Sequence, residues 1–210
     1  MADNYLGRKM EEYEAQKCAS VRTRRVSLMS LLQKNRSVRG YDRSFKVRED
    51  QLHALIEAVR LAPTAMNQQA LRYRLVTAEE ADKVLPHIRM GAALRELNLP
   101  LEGTEPQAFV VICSTKEGRF VDMDLGIATQ TILLRAVEMG LNGICIAAFD
   151  HKVIREVLQL PIEPQLIIAI GRSAERIEVV EINEGESQTY YRKEGIHYVP
   201  KIKTDDLIIK

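Results

Sequence analysis

The sequence has 210 residues, of which 46% are hydrophobic and 28% are charged, an ordinary composition for a globular protein with one sizeable core. The formal net charge of +1 gives no general reason to expect binding to nucleic acid or to acidic membranes. No apolar run approaches the roughly 18 residues of a membrane-spanning helix, and the N-terminus lacks the apolar core of a signal peptide. These features predict a soluble, cytoplasmic protein.

Residues 1–33 are predicted to form an N-terminal helical arm. Leu28, Leu31 and Leu32 fall at helical spacing, and the arm contains no proline. It could pack across a dimer partner or against its own subunit, and the sequence leaves both possibilities open. Residues 34–210 are predicted to form a single domain with an extended C-terminal tail, because no linker rich in glycine, serine or proline divides them.

Helix and strand patterns alternate along this domain. The predicted helices cover residues 49–62, 79–84, 121–141 and 151–158. The predicted strands cover residues 72–77, 107–113, 144–149 and 166–170, followed by an edge strand at 176–182 and a tail at 190–210 that crosses a neighbouring surface. Such alternation alone usually indicates a parallel α/β sheet.

The helix predicted at 121–141 has apolar residues around most of its axis. These include Leu125, Ile127, Ile132, Leu133, Leu134 and Val137. A helix that is apolar all round is buried, so we expect it either at a dimer interface or in the core of a monomer. Asp122 and Asp124 near its start suit the positive end of the helix dipole.

The cysteines and histidines show no metal-binding pattern. The three cysteines, Cys18, Cys113 and Cys145, are odd in number, and the last two lie in apolar, strand-like runs. We therefore expect buried free thiols in a reducing compartment. The four histidines are scattered without ligand spacing, so the sequence predicts no metal site.

The segment 61–70 (LAPTAMNQQA) is the strongest candidate for a binding loop. Pro63 ends the preceding helix, and Thr64, Asn67, Gln68 and Gln69 then place a hydroxyl and three carboxamides together. Carboxamides offer a donor and an acceptor at once, which suits the edge of a planar heterocycle. The alternative is a capped turn whose amides bond its own backbone.

Four motifs in order resemble the nitroreductase family of FMN-dependent oxidoreductases. They are NRSVRGY at 35–41, the loop at 61–70, DLGIA at 124–128 leading to GLNG at 140–143, and LQLP at 158–161 leading to IAIG at 168–171. The resemblance covers about residues 31–172. It implies an α+β fold, with a mixed, mostly antiparallel sheet flanked by helices, in a homodimer with two composite sites.

The resemblance also implies which residues bind FMN. Its phosphate would contact Arg36 and Ser37, with Arg172 after Gly171 as a second cation, and Arg39 would lie near the pyrimidine end. The ring and ribityl chain would contact Pro63, Thr64, Ala65, Asn67 and Gln69. Backbone N–H groups of Ala147 and Ala148 would face flavin N5 and O4. The sequence departs from the family where Asn35 replaces an arginine and Ala70-Leu71 replaces Pro-Trp.

The implied activity is two-electron, ping-pong transfer from NADH or NADPH to a small-molecule acceptor of the quinone or nitroaromatic type. No side-chain nucleophile or general base is nominated, since a flavin carries the redox chemistry itself. The region 89–107 would form a short lid over an open site. Two alternatives remain: a flavin-binding, redox-sensing protein with little turnover, and another flavin-dependent dehydrogenase or dehalogenase on the same fold.

Overall fold

The computed structural model describes residues 7–10, 26–91, 97 and 99–209. The helices are α1 (Leu28–Lys34), α2 (Glu49–Arg60), α3 (Arg119–Glu138) and α4 (His151–Val157). The strands are β1 (Leu71–Val76), β2 (Ala108–Ser114), β3 (Asn142–Ile146), β4 (Pro164–Gly171), β5 (Arg176–Ile182), β6 (Tyr191–Lys193) and β7 (Ile196–Ile202). Most of the predicted arm, including Cys18, lies outside the described residues.

A four-stranded sheet with the order β1-β2-β4-β3 forms the centre of the domain, and every neighbouring pair in it is antiparallel. One row across this sheet consists of Val76, Phe109, Ala169 and Ile144, all of them buried. Side chains of the opposite face pack under α2 and α3. The antiparallel sheet confirms the fold implied by the resemblance.

The alternation of helices and strands, taken alone, predicts a parallel sheet, and that prediction is wrong. Helix α3 does connect β2 to β3, and these two strands run in the same direction. However, β4 lies between them and is antiparallel to both. A hydrophobic pattern indicates that a strand is buried, but it does not specify which strand lies next to it.

A second sheet contains most of the segment that we expected to be an extended tail. Strand β7 pairs with β5 in parallel and with β6 in antiparallel fashion. Glu194 and Gly195 join β6 to β7, and both have positive φ, 53° and 76°. Two such residues make a tight turn whose twist suits a hairpin. The chain therefore folds back on β5, which lies at an edge as predicted.

Within one subunit, helix α3 is buried on one face only, so it is not the fully enclosed core helix of a monomer, while its position at a dimer interface stays a prediction. Ile132 and Ala136 are fully buried against the sheet. Phe120, Met123 and Ile127, spaced three and four residues apart, are 56%, 55% and 41% exposed. We call these three residues the apolar stripe of α3.

Two smaller expectations are also corrected. The helix predicted at 79–84 is a pair of 3-10 turns, Ala81–Lys83 and Leu85–His87. Cys113 on β2 is buried as predicted, but Cys145 is exposed. Strand β3 lies at the edge of the sheet, so an apolar run there does not ensure burial on both faces.

Candidate functional site

The loop before β1 is anchored to α3 by one buried carboxylate. Asp124, only 3% exposed, accepts hydrogen bonds from the backbone N–H of Ala65 at 2.9 Å and from Nε2 of Gln68 at 3.0 Å. Charged acceptors make stronger hydrogen bonds than neutral ones. Asp124 therefore fixes this loop on the first turns of α3.

The backbone of the same loop is held in a conformation that residues other than glycine rarely adopt. Met66, Asn67 and Gln69 have φ values of 52°, 52° and 44°. Residues in this left-handed region cost free energy and cluster at binding sites. Nε2 of Gln69 donates to Oδ1 of Asn67 at 3.0 Å, so part of the carboxamide cluster bonds within the loop. Both side chains remain exposed.

A cleft of about 200 Å³ lies between this loop, α2, β1 and α3. Its lining includes Pro63, Thr64 and Gln69 from the loop and largely apolar side chains from the helices, with Tyr73 on β1. Burial raises the pKa of Tyr73 to about 12, so its hydroxyl stays protonated at neutral pH. The cleft combines an apolar wall with polar groups at one side, as small-molecule sites usually do.

The motif at 35–41 lies against the outer edge of β3. Ser37 forms a parallel bridge with Gly143, and its side chain is exposed. Arg36 donates from Nη2 to the carbonyl of Leu32 at 2.7 Å and from Nε to the carbonyl of Asn35 at 2.6 Å. It thus caps the C-terminal end of α1, where a cation is favourable. Partial burial lowers the pKa of Arg36.

Arg39 is directed inward. It is 8% exposed, and its guanidinium lies 4.8 Å from the centre of the Tyr190 ring. Its Nη1 donates to the carbonyl of Ser37 at 3.1 Å, while its backbone N–H donates to Oε2 of Glu175 at 2.6 Å. Arg39 is therefore held by the segment that enters β5.

Gly171 ends β4 and Arg172 follows it, close to the same motif. A Cβ atom on Gly171 would lie 2.6 Å from the Tyr41 ring, so only glycine allows this packing. The guanidinium of Arg172 lies 4.1 Å from the centre of the Phe45 ring and 3.7 Å from Oδ2 of Asp42. Arg172 is about half exposed, which leaves room for an anion at its outer side.

Ala147 and Ala148 follow β3 and are exposed. The carbonyl of Ala148 accepts from the backbone N–H of Arg89 at 2.9 Å, and the N–H of Asp150 donates to the carbonyl of His87 at 3.0 Å. This short backbone pairing ties the start of the predicted lid to the turn after β3. Residues 92–96 and 98 of the lid lie outside the described part of the chain.

The predicted cofactor residues fall into two groups that one subunit keeps apart. The first group, Arg36, Ser37, Arg39, Ala147, Ala148, Gly171 and Arg172, lies along β3 and the end of β4. The second group, Pro63, Thr64, Ala65, Asn67 and Gln69, precedes β1. Strands β1 and β3 are the two outer strands of the sheet, about three strand spacings or roughly 14 Å apart.

The sequence interpretation missed two carboxylates that position the candidate residues. Asp124 was assigned only to the helix dipole, although a polar residue on an inward-facing helical position could have indicated its role. Glu175 carried no signal, since its partners Arg39 and Arg192 are distant in sequence. Among the described residues, no cluster of His, Cys, Asp and Glu could hold a metal ion. The helices in the described ranges are all too short or too polar to cross a membrane.

A model of the nitroreductase family matches residues 32–99 and 104–172, together more than half of the chain. A "putative nitroreductase" of Methanocaldococcus jannaschii is 35% identical over 57 residues, which are 27% of this chain. The matched stretch spans 29% of the length of that relative.

Solved structures share the fold. An FMN-dependent nitroreductase of Clostridium difficile is 26% identical, with a TM-score of 0.54 over 71% of this chain and 89% of that chain. A nitroreductase family protein of Streptococcus pneumoniae is 16% identical, with a TM-score of 0.63 over 88% of this chain and 100% of that chain. These matches agree with the α+β architecture described above.

Proposed function

Since the chain belongs to the nitroreductase family of oxidoreductases, we propose that it is an FMN-dependent NAD(P)H oxidoreductase. We further propose that quinone- or nitroaromatic-type compounds are its acceptors, and that two copies of the chain build each site. The donor leaves before the acceptor binds, in a ping-pong cycle.

One observation carries the proposal of a shared site. The first group of predicted cofactor residues lies along β3 and the loop at 61–70 precedes β1, at opposite edges of the central sheet. Gly143, beside Ser37, pairs with Ile170, whereas Leu71, just after the loop, pairs with Ser114 at the far end of β2. Ser37 and Gly171 are thus diagonal to the loop, whereas Ala147 and Ala148 follow the other end of β3 and lie at the same end of the sheet as the loop. A second copy could bring its loop to the first group of this copy.

The apolar stripe of α3 supports the same arrangement. Phe120, Met123 and Ile127 are exposed on the helix that anchors the loop through Asp124. Met66, at the tip of the loop, is 84% exposed. Adjacent exposed apolar residues of this kind typically mark a protein interface. A partner copy seated on the stripe would therefore lie next to the loop.

The residues present fit FMN in charge and shape. Arg172 and the exposed hydroxyl of Ser37 suit a phosphate, since guanidinium donors match its geometry. Asn67 and Gln69 offer exposed carboxamides for the polar edge of the ring, and the cleft beside them has apolar walls. The exposed backbone of Ala147 and Ala148 suits the N5 and O4 edge. Arg39 is buried and would supply a positive charge near the pyrimidine end.

When bound, FMN supplies the redox chemistry by taking a hydride from NAD(P)H and giving two electrons to the acceptor. The chain contributes binding, orientation and electrostatics. Asp124 holds the carboxamide loop in its left-handed conformation, and Glu175 holds Arg39. The two alanines leave the turn after β3 open, because their methyl groups leave space for a planar ring.

Flavin analysis of the purified protein tests this function. We expect a yellow protein whose released chromophore is FMN, at about one per subunit, and sustained NAD(P)H oxidation with menadione. A colourless protein that fails to bind added FMN would remove the proposal. A protein that binds FMN without sustained consumption of NAD(P)H would instead support the redox-sensing alternative.

A further inference from the structure

A second polar cavity, of about 120 Å³, lies between the motif at 35–41 and the second sheet. Its lining includes Arg39, Thr104, Glu175, Arg192 and His197. Arg192 and His197 face each other as paired residues of β6 and β7. No residue of the loop at 63–69 contributes to this cavity, which therefore differs from the cleft next to α2.

Three buried nitrogen atoms on residues that line this cavity have no hydrogen-bond partner within the described part of the chain. They are Nε of Arg39, Nε of Arg192 and Nδ1 of His197. Arg39 and His197 are only 8% and 3% exposed. Native proteins satisfy nearly all buried polar groups, and an unsatisfied group costs about 1–3 kcal/mol. Three such nitrogens belong to residues that line one cavity, so donors without partners are concentrated around it.

The charges around the cavity leave an excess of positive charge. Glu175 accepts from the backbone N–H of Arg39 and from Nη2 of Arg192, so one carboxylate faces two guanidinium groups. Burial, and then the charges of Arg39 and Arg192, lower the pKa of His197 and favour its neutral form. The formal charge of the four groups is then +1. Tyr190 packs against both Arg39 and His197.

We propose that this cavity binds an oxyanion of phosphate size. The free groups are guanidinium nitrogens and one imidazole nitrogen, which can donate hydrogen bonds, and the excess charge is positive, so an anion fits and a metal cation does not. Guanidinium groups match the oxygens of phosphate in geometry. The cavity volume equals about four waters at roughly 30 Å³ each, enough for one tetrahedral anion.

The proposed oxyanion is distinct from the phosphate of FMN, which is proposed to bind at Ser37 and Arg172. Calorimetric titration of the full-length protein with inorganic phosphate, at constant chloride and in a buffer without oxyanions, distinguishes the two sites. Saturable binding of one phosphate per subunit to both the FMN-loaded and the FMN-free protein indicates a free ion at a site other than that of FMN. Binding to the FMN-free protein alone indicates that phosphate enters the vacant FMN site at Ser37 and Arg172, which would overturn the proposal for this cavity. If only water fills the cavity, phosphate will show no saturable binding to either form of the protein. That result would overturn the proposal.

Two substitutions with opposite effects test the cavity itself. R192Q removes one guanidinium and should weaken phosphate binding about tenfold or more. E175Q removes the carboxylate that competes with the anion, so phosphate should bind more tightly. Misfolding cannot produce such a gain in affinity. R48Q is the matched control, because Arg48 pairs with Asp50 on the surface at 2.9 Å. Affinity unchanged in E175Q would contradict the proposal even if R192Q failed to fold.

Flavin content, measured separately on each variant, keeps this test distinct from that of the proposed function. Phosphate binding by a protein that takes up no FMN would support the cavity and remove the flavoprotein assignment. A protein that binds FMN but binds phosphate in neither form would support the flavoprotein assignment and remove the proposed oxyanion site.

Discussion

The buried carboxylate of Asp124 accepts a hydrogen bond of 2.9 Å from the backbone N–H of Ala65, which lies 59 positions earlier in the chain. The same carboxylate accepts from the side chain of Gln68 at 3.0 Å. This pair of bonds joins the strained candidate loop to the start of α3, the helix that carries the apolar stripe. Loop geometry and the proposed interface are therefore linked through one residue.

We expect Asp124→Ala to lower the free energy of unfolding by about 2 kcal/mol, because it leaves the partly buried backbone N–H of Ala65 without its partner. FMN affinity should fall as well, since the loop loses its anchor. Asp122→Ala is the matched control on the same helix, where Asp122 is exposed. It should cost at most about 1 kcal/mol through the helix dipole. Denaturant unfolding and flavin titration measure both effects, and equal costs for the two variants would argue against the anchor.

Arg39→Ala should lower the two-electron potential of bound FMN. Reduced FMN carries a negative charge at N1, which a nearby guanidinium stabilises. A charge-assisted hydrogen bond contributes about 1.5–3 kcal/mol, and 1.4 kcal/mol corresponds to about 30 mV for two electrons. We therefore expect a decrease of several tens of millivolts, and a smaller one for Arg39→Lys.

Potentiometry with FMN at saturation measures this effect. In the structure, Arg39 also faces Tyr190 and the second cavity. If those contacts are its whole role, Arg39→Ala will change the stability of the protein and leave the potential of bound FMN unchanged. An unchanged or raised potential would therefore rule out the assignment near N1.

Met123→Glu should convert a homodimer into monomers and release FMN. Met123 lies in the middle of the apolar stripe and is 55% exposed, so the isolated subunit should tolerate glutamate there. At an interface the buried charge is costly. Val179→Glu is the matched control, because Val179 is 47% exposed on β5, away from α3. Sedimentation velocity at micromolar concentration measures both variants, and a wild-type monomer that retains flavin would contradict the dimer.

The sequence predicted elements wherever burial is local and periodic. The helix predicted at 49–62 buries its periodic apolar residues, among them Leu52 and Leu55, and the apolar run on β2 is buried from Ala108 to Ser114. The motif resemblance predicted the antiparallel sheet, which periodicity alone did not. Two further features could have been predicted from local sequence but were not: the hairpin turn at Glu194-Gly195 and the inward position of Asp124 on α3.

Other features depend on long-range contacts that no local pattern reports. Cys145 looks like a core residue in sequence, yet it lies on an edge strand and is exposed. Glu175 joins Arg39 to Arg192 across the cavity, although neither arginine is near it in sequence. The separation of the two predicted cofactor groups depends on which strands are outermost in the sheet, and this is known only once the strand order is known.

A complementation experiment tests the shared site most directly. Ser37→Asp places a negative charge where the phosphate of FMN is proposed to bind, and Asn67→Asp alters the loop while it tolerates the positive φ of that position. Both residues are exposed, so the subunits should fold. Each variant alone should bind little FMN and show little turnover. The heterodimer of the two, isolated through two different affinity tags, has one doubly altered site and one intact site if two copies build each site.

We predict that this heterodimer recovers about half of the flavin content and menadione-dependent NAD(P)H oxidation of a wild-type dimer carrying the same tags. If each site instead lies within one subunit, every site in the heterodimer carries one altered residue. Flavin content and turnover no higher than those of the two parent variants would then contradict the account.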